Sequence, residues 1–242
     1  MSAVANLYEH LPAKYRKAQG TYASYPELQI SLPNRIIIVA PSGAGKTNLA
    51  LNTIIKINAF TKVHIFAKCL DEPLWEWFID SIHEVEEKMT KKLRRPVKIL
   101  EVVTTELANL PSVDEFDRNE TNLVIFDDQV TETSKSALKN MTDLWIRGRK
   151  QNITTMYLTQ NYYAMDKTMR RNNGILILKA LGTAKDKRAI LSEVAEDKSV
   201  EELTEMFKQC DTHELGNFFM IDTSAGGRKE LRYRKNFTPF PQ

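Results

Sequence analysis

Apolar residues in this chain fall into short runs separated by polar turns and amphipathic stretches, a rhythm that begins near residue 34. Ile36, Ile37, Ile38 and Val39 form an unbroken run, as in a strand buried on both faces of a parallel sheet. Leu49, Leu51, Ile54 and Ile55 follow at helical spacing. A second strand is predicted over residues 62–68, and Pro73 sits where a helix opens, with Leu74, Trp75, Phe78, Ile79, Ile82 and Val85 on one face. Further strands are predicted over 97–103, 123–126, 152–159, 175–178 and 218–221. Residues 104–120 read as a polar excursion, and Ala137, Leu138, Met141, Leu144 and Trp145 as a helical stripe. Ser199 and Glu202 make a capping box for a helix reaching Cys210. Strands alternating with helices predict an α/β fold, a mostly parallel central sheet flanked by helices. Three regions are expected: a polar extension over 1–30 carrying Tyr8, Tyr15, Tyr22 and Tyr25, one domain over 31–224, and a basic tail over 225–242.

Composition narrows this little. A chain of 242 residues, 42% hydrophobic and 27% charged, suits one globular α/β domain with extensions. A net charge of +3 does not by itself name a nucleic-acid partner, so local clusters must carry that argument. Cys69 and Cys210 are far apart and form neither a metal-ligand pair nor a disulfide framework, which points to a reducing, cytosol-like space. No apolar run reaches bilayer length, and the first residues lack the basic-then-apolar layout of a secretory signal.

The candidate chemistry starts where the first apolar run ends, in Ala-Pro-Ser-Gly-Ala-Gly-Lys-Thr at 40–47. This strand, glycine-bearing loop and helix fit the P-loop pattern, with Ala40 where a first glycine usually stands. Gly43 and Gly45 let the backbone approach phosphates closely, and amides over 43–47 can converge on the β-phosphate at a helix N-terminus. Lys46 can reach the β- and γ-phosphates, and the Thr47 hydroxyl can ligate Mg²⁺. The expected binding set for ATP is therefore Ser42, Gly43, Ala44, Gly45, Lys46, Thr47 and Asn48. Leu-Val-Ile-Phe-Asp-Asp at 123–128 has the form of the second acidic motif of such sites. Asp127 would hold the metal and Asp128 polarise the attacking water, unless either caps the following turn. Gln160, at the carboxyl end of the next predicted strand, can sense the γ-phosphate or satisfy loop backbone. Arg147, Arg149, Arg170 and Arg171 are candidates for an arginine finger or plain surface charges.

Taken together, Ala-Pro-Ser-Gly-Ala-Gly-Lys-Thr-Asn-Leu, Val-Ile-Phe-Asp-Asp, Gly-Arg-Lys-Gln-Asn-Ile-Thr-Thr-Met-Tyr-Leu-Thr-Gln-Asn-Tyr-Tyr and Met-Arg-Arg-Asn resemble the poxvirus-type genome-packaging ATPases of the FtsK–HerA superfamily, found in large DNA viruses and virophages. The resemblance covers about residues 30–180 and, to some extent, the tail. It implies a RecA-like (ASCE-type) P-loop fold and a homo-oligomeric ring, hexameric or pentameric, that hydrolyses ATP with Mg²⁺ to drive double-stranded DNA into a preformed capsid. It implies catalytic roles for Lys46, Asp128 and the sensor Gln160, metal ligation by Thr47 and Asp127, and a finger role in trans for Arg149. Lys150 stands where many relatives carry histidine, and Ala40 replaces glycine; neither change touches a catalytic side chain. The implied location is the host cytoplasm or viral assembly site, with association to the virion and its capsid protein.

Such a motor needs sequence-blind contact with phosphates. Two clusters can supply it: Lys88, Lys91, Lys92, Arg94, Arg95 and Lys98, and, in the tail, Arg228, Lys229, Arg232, Arg234 and Lys235. Each residue can equally be a solvated charge, and the tail can dock on a capsid protein or an adjacent subunit. Two other functions remain open from sequence: a P-loop nucleotide kinase, and a nucleotide-gated assembly protein with little turnover.

Overall fold

A computed structural model describes residues 28–129, 132–224 and 228–241, together with the backbone of 23–25. The expected extension over 1–30 otherwise lies outside the described residues. In chain order the strands and α-helices are β1 (Ala23–Tyr25), β2 (Ile30–Leu32), β3 (Arg35–Val39), α1 (Lys46–Ile57), β4 (Lys62–Ala67), α2 (Pro73–Leu93), β5 (Leu100–Thr104), β6 (Asn122–Asp127), α3 (Lys135–Arg147), β7 (Ile153–Thr159), α4 (Lys167–Arg171), β8 (Ile175–Leu178), α5 (Ala184–Val194), α6 (Val200–Gln209), β9 (Phe219–Asp222), β10 (Tyr233–Lys235) and β11 (Thr238–Pro239).

Among the described residues the central sheet has nine strands in the order β11-β10-β9-β8-β3-β7-β6-β4-β5. From β8 to β5 every neighbouring pair is parallel, whereas β9, β10 and β11 add antiparallel strands at one edge. β1 and β2 form a separate antiparallel ribbon.

Strand β3 sits inside the sheet because its β-branched residues suit a pleated surface covered on both sides. Its side chains alternate between two cores. Ile36 and Ile38 pack with Leu49, Leu51 and Ile54 of α1 and Trp75, Phe78 and Ile82 of α2. Ile37 and Val39 pack on the other face with Met141, Leu144 and Trp145 of α3, Ile190 of α5 and Leu203 of α6. Helix α2 opens at Pro73, whose missing N–H falls where a helix has no internal acceptor for it. Ser134 caps α3 by accepting from the Ala137 amide at 3.3 Å, and Ser199 with Glu202 forms the expected box at α6. Among the described residues no helix is long and apolar enough to cross a membrane.

Three differences from the sequence expectations have local causes. The strand expected from residue 97 starts at Leu100. The Val97 amide donates to Thr90 Oγ1 (3.0 Å), and those of Ile99 and Leu100 donate to Glu86 Oε1 (2.6 and 2.8 Å), so side chains of α2 take up this backbone first. The excursion over 104–120 holds two 3₁₀ turns, Leu107–Asn109 and Val113–Glu115, that bury Leu107, Leu110, Val113 and Phe116. Where a basic tail is expected, β10 and β11 extend the sheet. Arg234 has no exposed surface: its guanidinium donates to Leu28 O (2.8 Å), Gln29 O (3.1 Å), Leu231 O (2.6 Å) and Asp222 Oδ2 (2.6 Å). It is thereby removed from any DNA-facing cluster. A buried guanidinium is tolerated only when its donors are met in this way. Half-buried Arg232 is likewise committed, to Glu196 and Asp197.

Candidate active site

The parallel strands place their carboxyl ends along one edge, and the loops leaving β3, β4, β6 and β7 meet there around a cavity of about 340 Å³. The loop after β3 turns by left-handed backbone at Gly43 (φ +72°) and Gly45 (φ +82°), conformations that cost a side-chain-bearing residue free energy. Ala40 is absent from the positive-φ positions, and its amide still pairs with Thr159 O at 3.1 Å, so this position does not require glycine. Of the expected binding set, Ser42, Gly43, Gly45, Lys46, Thr47 and Asn48 line the cavity. Ala44 does not; its amide donates to Pro41 O at 3.2 Å.

Helix α1 begins directly on Lys46 and Thr47, which are nearly buried. The Lys46 ammonium lies 3.4 Å from Asp128 Oδ2 and 4.0 Å from Asp127 Oδ1. Gln160 Nε2 donates to the same Asp128 Oδ2 at 3.0 Å. One carboxylate oxygen is thus shared by the expected phosphate lysine and the expected sensor. Asp128 takes a left-handed φ of +50° directly after β6, a strained setting for a non-glycine residue that turns it out of the strand.

Asp127, the last residue of β6, is buried at the floor, and its Oδ2 accepts from the indole Nε1 of Trp75 at 3.0 Å. Burial pushes its pKa up to about 6, although Lys46 and the Trp75 bond pull the other way. Asp127 Oδ1 and Asp128 Oδ1 are buried without a hydrogen-bond donor among the described residues. Such oxygens are costly unless something positive or protic meets them, and a hydrated Mg²⁺ with an attacking water has the right character. Thr47 Oγ1 donates to Glu72 Oε2 at 3.2 Å, which directs its lone pairs elsewhere.

Glu72 and Trp75 are two residues of this site that the sequence pattern did not single out. Trp75 reads as one more apolar position on α2, and Glu72 as the residue before a helix-opening proline. Their position just past β4, on the same carboxyl edge as the P-loop, is the one signal that could have marked them.

Arg149 is not brought to this cavity. It lies in the 3₁₀ turn Gly148–Gln151 before β7, while Gln160 follows that strand's other end. Seven strand residues put them roughly 20 Å apart. Arg147 pairs with Asp143 (2.7 Å) and Asp114 (3.1 Å), and Arg170 with Glu193 (3.2 Å). A larger cavity of about 860 Å³, along α3, lies away from the phosphate loop.

The profile of the family described as Poxvirus A32 protein matches residues 24–221. No curated protein sequence matches the chain significantly. Among solved structures, B204, the DNA-packaging ATPase from Sulfolobus Turreted Icosahedral Virus, superposes with a TM-score of 0.53 at 12% identity, over 86% of this chain and 98% of that one. The genome packaging NTPase B204 from Sulfolobus turreted icosahedral virus 2 in complex with AMP gives 0.52 at 11% identity, over 86% and 98%. At these identities the likeness establishes a shared fold.

Proposed function

The chain belongs to the poxvirus A32 protein family, and from that membership and the carboxyl-edge site we propose that it is an ATPase that drives double-stranded viral DNA into a preformed capsid. The observation that carries the reading is the meeting of Lys46, Asp128 and Gln160 at one carboxylate oxygen beside a glycine-lined anion loop. A lysine here serves phosphate, a carboxylate serves water, and a neutral amide joins the two.

Lys46 would exchange Asp128 for the β- and γ-phosphate oxygens and stabilise the charge that develops on them. Asp128 accepts a hydrogen bond from the attacking water and takes its proton as the oxygen–phosphorus bond forms and the bond to the β-phosphate oxygen breaks. The products are ADP and phosphate. Gln160 holds Asp128 in line and registers the loss of the γ-phosphate. Thr47 Oγ1 and Asp127 Oδ1 are the groups that would hold Mg²⁺, which when bound neutralises phosphate charge. Trp75 fixes the Asp127 carboxylate, and Ser42, Gly43, Gly45 and Asn48 line the phosphate path.

The distance between Arg149 and Gln160 supports a finger that acts on a neighbouring subunit's ATP within a ring. Exposed Lys92, in the last turn of α2, Arg94 and Arg95 just after it, and Arg228, Lys229 and Lys235 are the candidate DNA contacts. Lys88, Lys91 and Lys98 are partly neutralised by Glu84, Glu87 and Glu101. The working location is the viral assembly site in the host cell, with the capsid protein as a further partner.

ATP hydrolysis measured with and without duplex DNA across a salt series tests this function. Stimulation by DNA that fades steeply as salt rises is expected, because phosphate contacts release counterions. Phosphate transfer to a nucleotide acceptor, or tight ATP binding with negligible turnover in DNA, would overturn it.

A further inference from the structure

Leu215 is 79% exposed, the most exposed large apolar side chain among the described residues. It stands in the turn 211–217 between α6 and β9, which bends through left-handed backbone at Asp211 (φ +49°) and Gly216 (φ +91°). The turn is held from beneath. Lys179, buried at the end of β8, donates its ammonium to three of the turn's carbonyls: Thr212 O (3.2 Å), Glu214 O (2.6 Å) and Asn217 O (3.0 Å). One cation meeting three converging carbonyls fixes the turn before any ligand arrives. An exposed leucine is ordinary in itself; what needs a reason is that this one, part of neither core, is pinned beside the phosphate loop.

The sheet order supplies one. Asp128 and Gln160, which define the γ-phosphate side, follow β6 and β7 on one flank of β3. The strand on the other flank of β3 is β8, which leads to Lys179 and its turn. A triphosphate laid along the loop after β3 with its γ end at Asp128 must therefore point its nucleoside toward β8. The approach is close: a Cβ built on Gly45 would lie 3.5 Å from Leu215 Cδ1 and 3.9 Å from Lys179 Cε.

We propose that Leu215 is the platform on which the nucleobase of the bound triphosphate lies, with Lys179 as the positioning residue that pre-sets its turn; this rests on the nucleotide reading of the P-loop. Leucine offers no donor or acceptor to a base edge, so the contact selects an aromatic face rather than one particular base.

Calorimetric titration of wild type and Leu215→Ala, each with Mg-ATP and with Mg-tripolyphosphate, tests it. The exposed side chain can be removed without disturbing the fold. Leu215→Ala is expected to weaken ATP roughly fivefold and leave tripolyphosphate, which has no base, unchanged. ATP affinity unchanged in the variant would overturn the inference, as would equal weakening of both ligands, which would make the turn a mere buttress of the phosphate loop. Wild-type protein that binds neither ligand would overturn the nucleotide reading and this inference with it.

Discussion

Asp128 Oδ2 accepts from both Lys46 and Gln160, so an amide at this position keeps the shape of the cluster while removing the proton acceptor. Asp128→Asn is expected to lower phosphate release by about 100-fold or more while ATP affinity in titration changes less than about threefold. Loss of both would assign the residue to structure. Lys46→Ala, by contrast, should lose ATP binding itself. A buried titrating group lies away from the site. His64, buried beside the Phe116 ring at 4.9 Å, has its pKa lowered to about 4, chiefly by burial, with Lys62 and Lys98 assisting and Glu101 opposing. The unfolded chain protonates near 6.5, so between about 6.5 and 4 it binds more protons than the folded one and stability falls as pH falls. Denaturation across that window should show a loss from this group of at most about 3 kcal/mol. His64→Phe should flatten the curve, and an unaltered slope in that variant would contradict the assignment.

At the scale of elements, strand β10 is held to the molecule by Arg234, whose guanidinium ties Asp222 of β9 to the backbone at 28–29 before β2. Arg234→Met strands a buried carboxylate and three carbonyls, and should cost about 3–5 kcal/mol in denaturant unfolding. Lys235→Ala, exposed on the same strand, should cost under about 0.5 kcal/mol. Equal, small effects would mean that the buried pair does not fasten the strand. The same strand marks where sequence reading stopped short. Ile36 through Val39 and Leu123 through Phe126 announce themselves because a strand covered on both faces is apolar throughout. Tyr233–Lys235 carries two cations in three residues, and its inward arginine looks like surface charge until its partners, distant in sequence, are in place. Lys46, Thr47, Asp127, Asp128 and Gln160 were legible because each abuts a strong local pattern. Glu72, Trp75 and Lys179 were not, since their contacts arise only when the loops after different strands are brought to one edge.

For the whole molecule, the parallel strands put the candidate ATP site at one edge and Arg149 near the other, so a complete site is proposed to need two subunits. Mixing Arg149→Ala with Lys46→Ala subunits should restore part of the ATPase activity that each lacks alone, because mixed rings place an intact loop beside an intact finger. No recovery at any ratio would confine Arg149 to its own subunit. The central claim is that splitting ATP at the Lys46–Asp128–Gln160 cluster moves duplex DNA. It is tested most directly by the ATP-dependent displacement of a third strand from a triplex, with wild type compared against Asp128→Asn. Displacement by wild type with ATP, but not with a non-hydrolysable analogue and not by Asp128→Asn, is the predicted result. Undiminished displacement by Asp128→Asn, or none by a wild type that hydrolyses ATP on the same DNA, would contradict it.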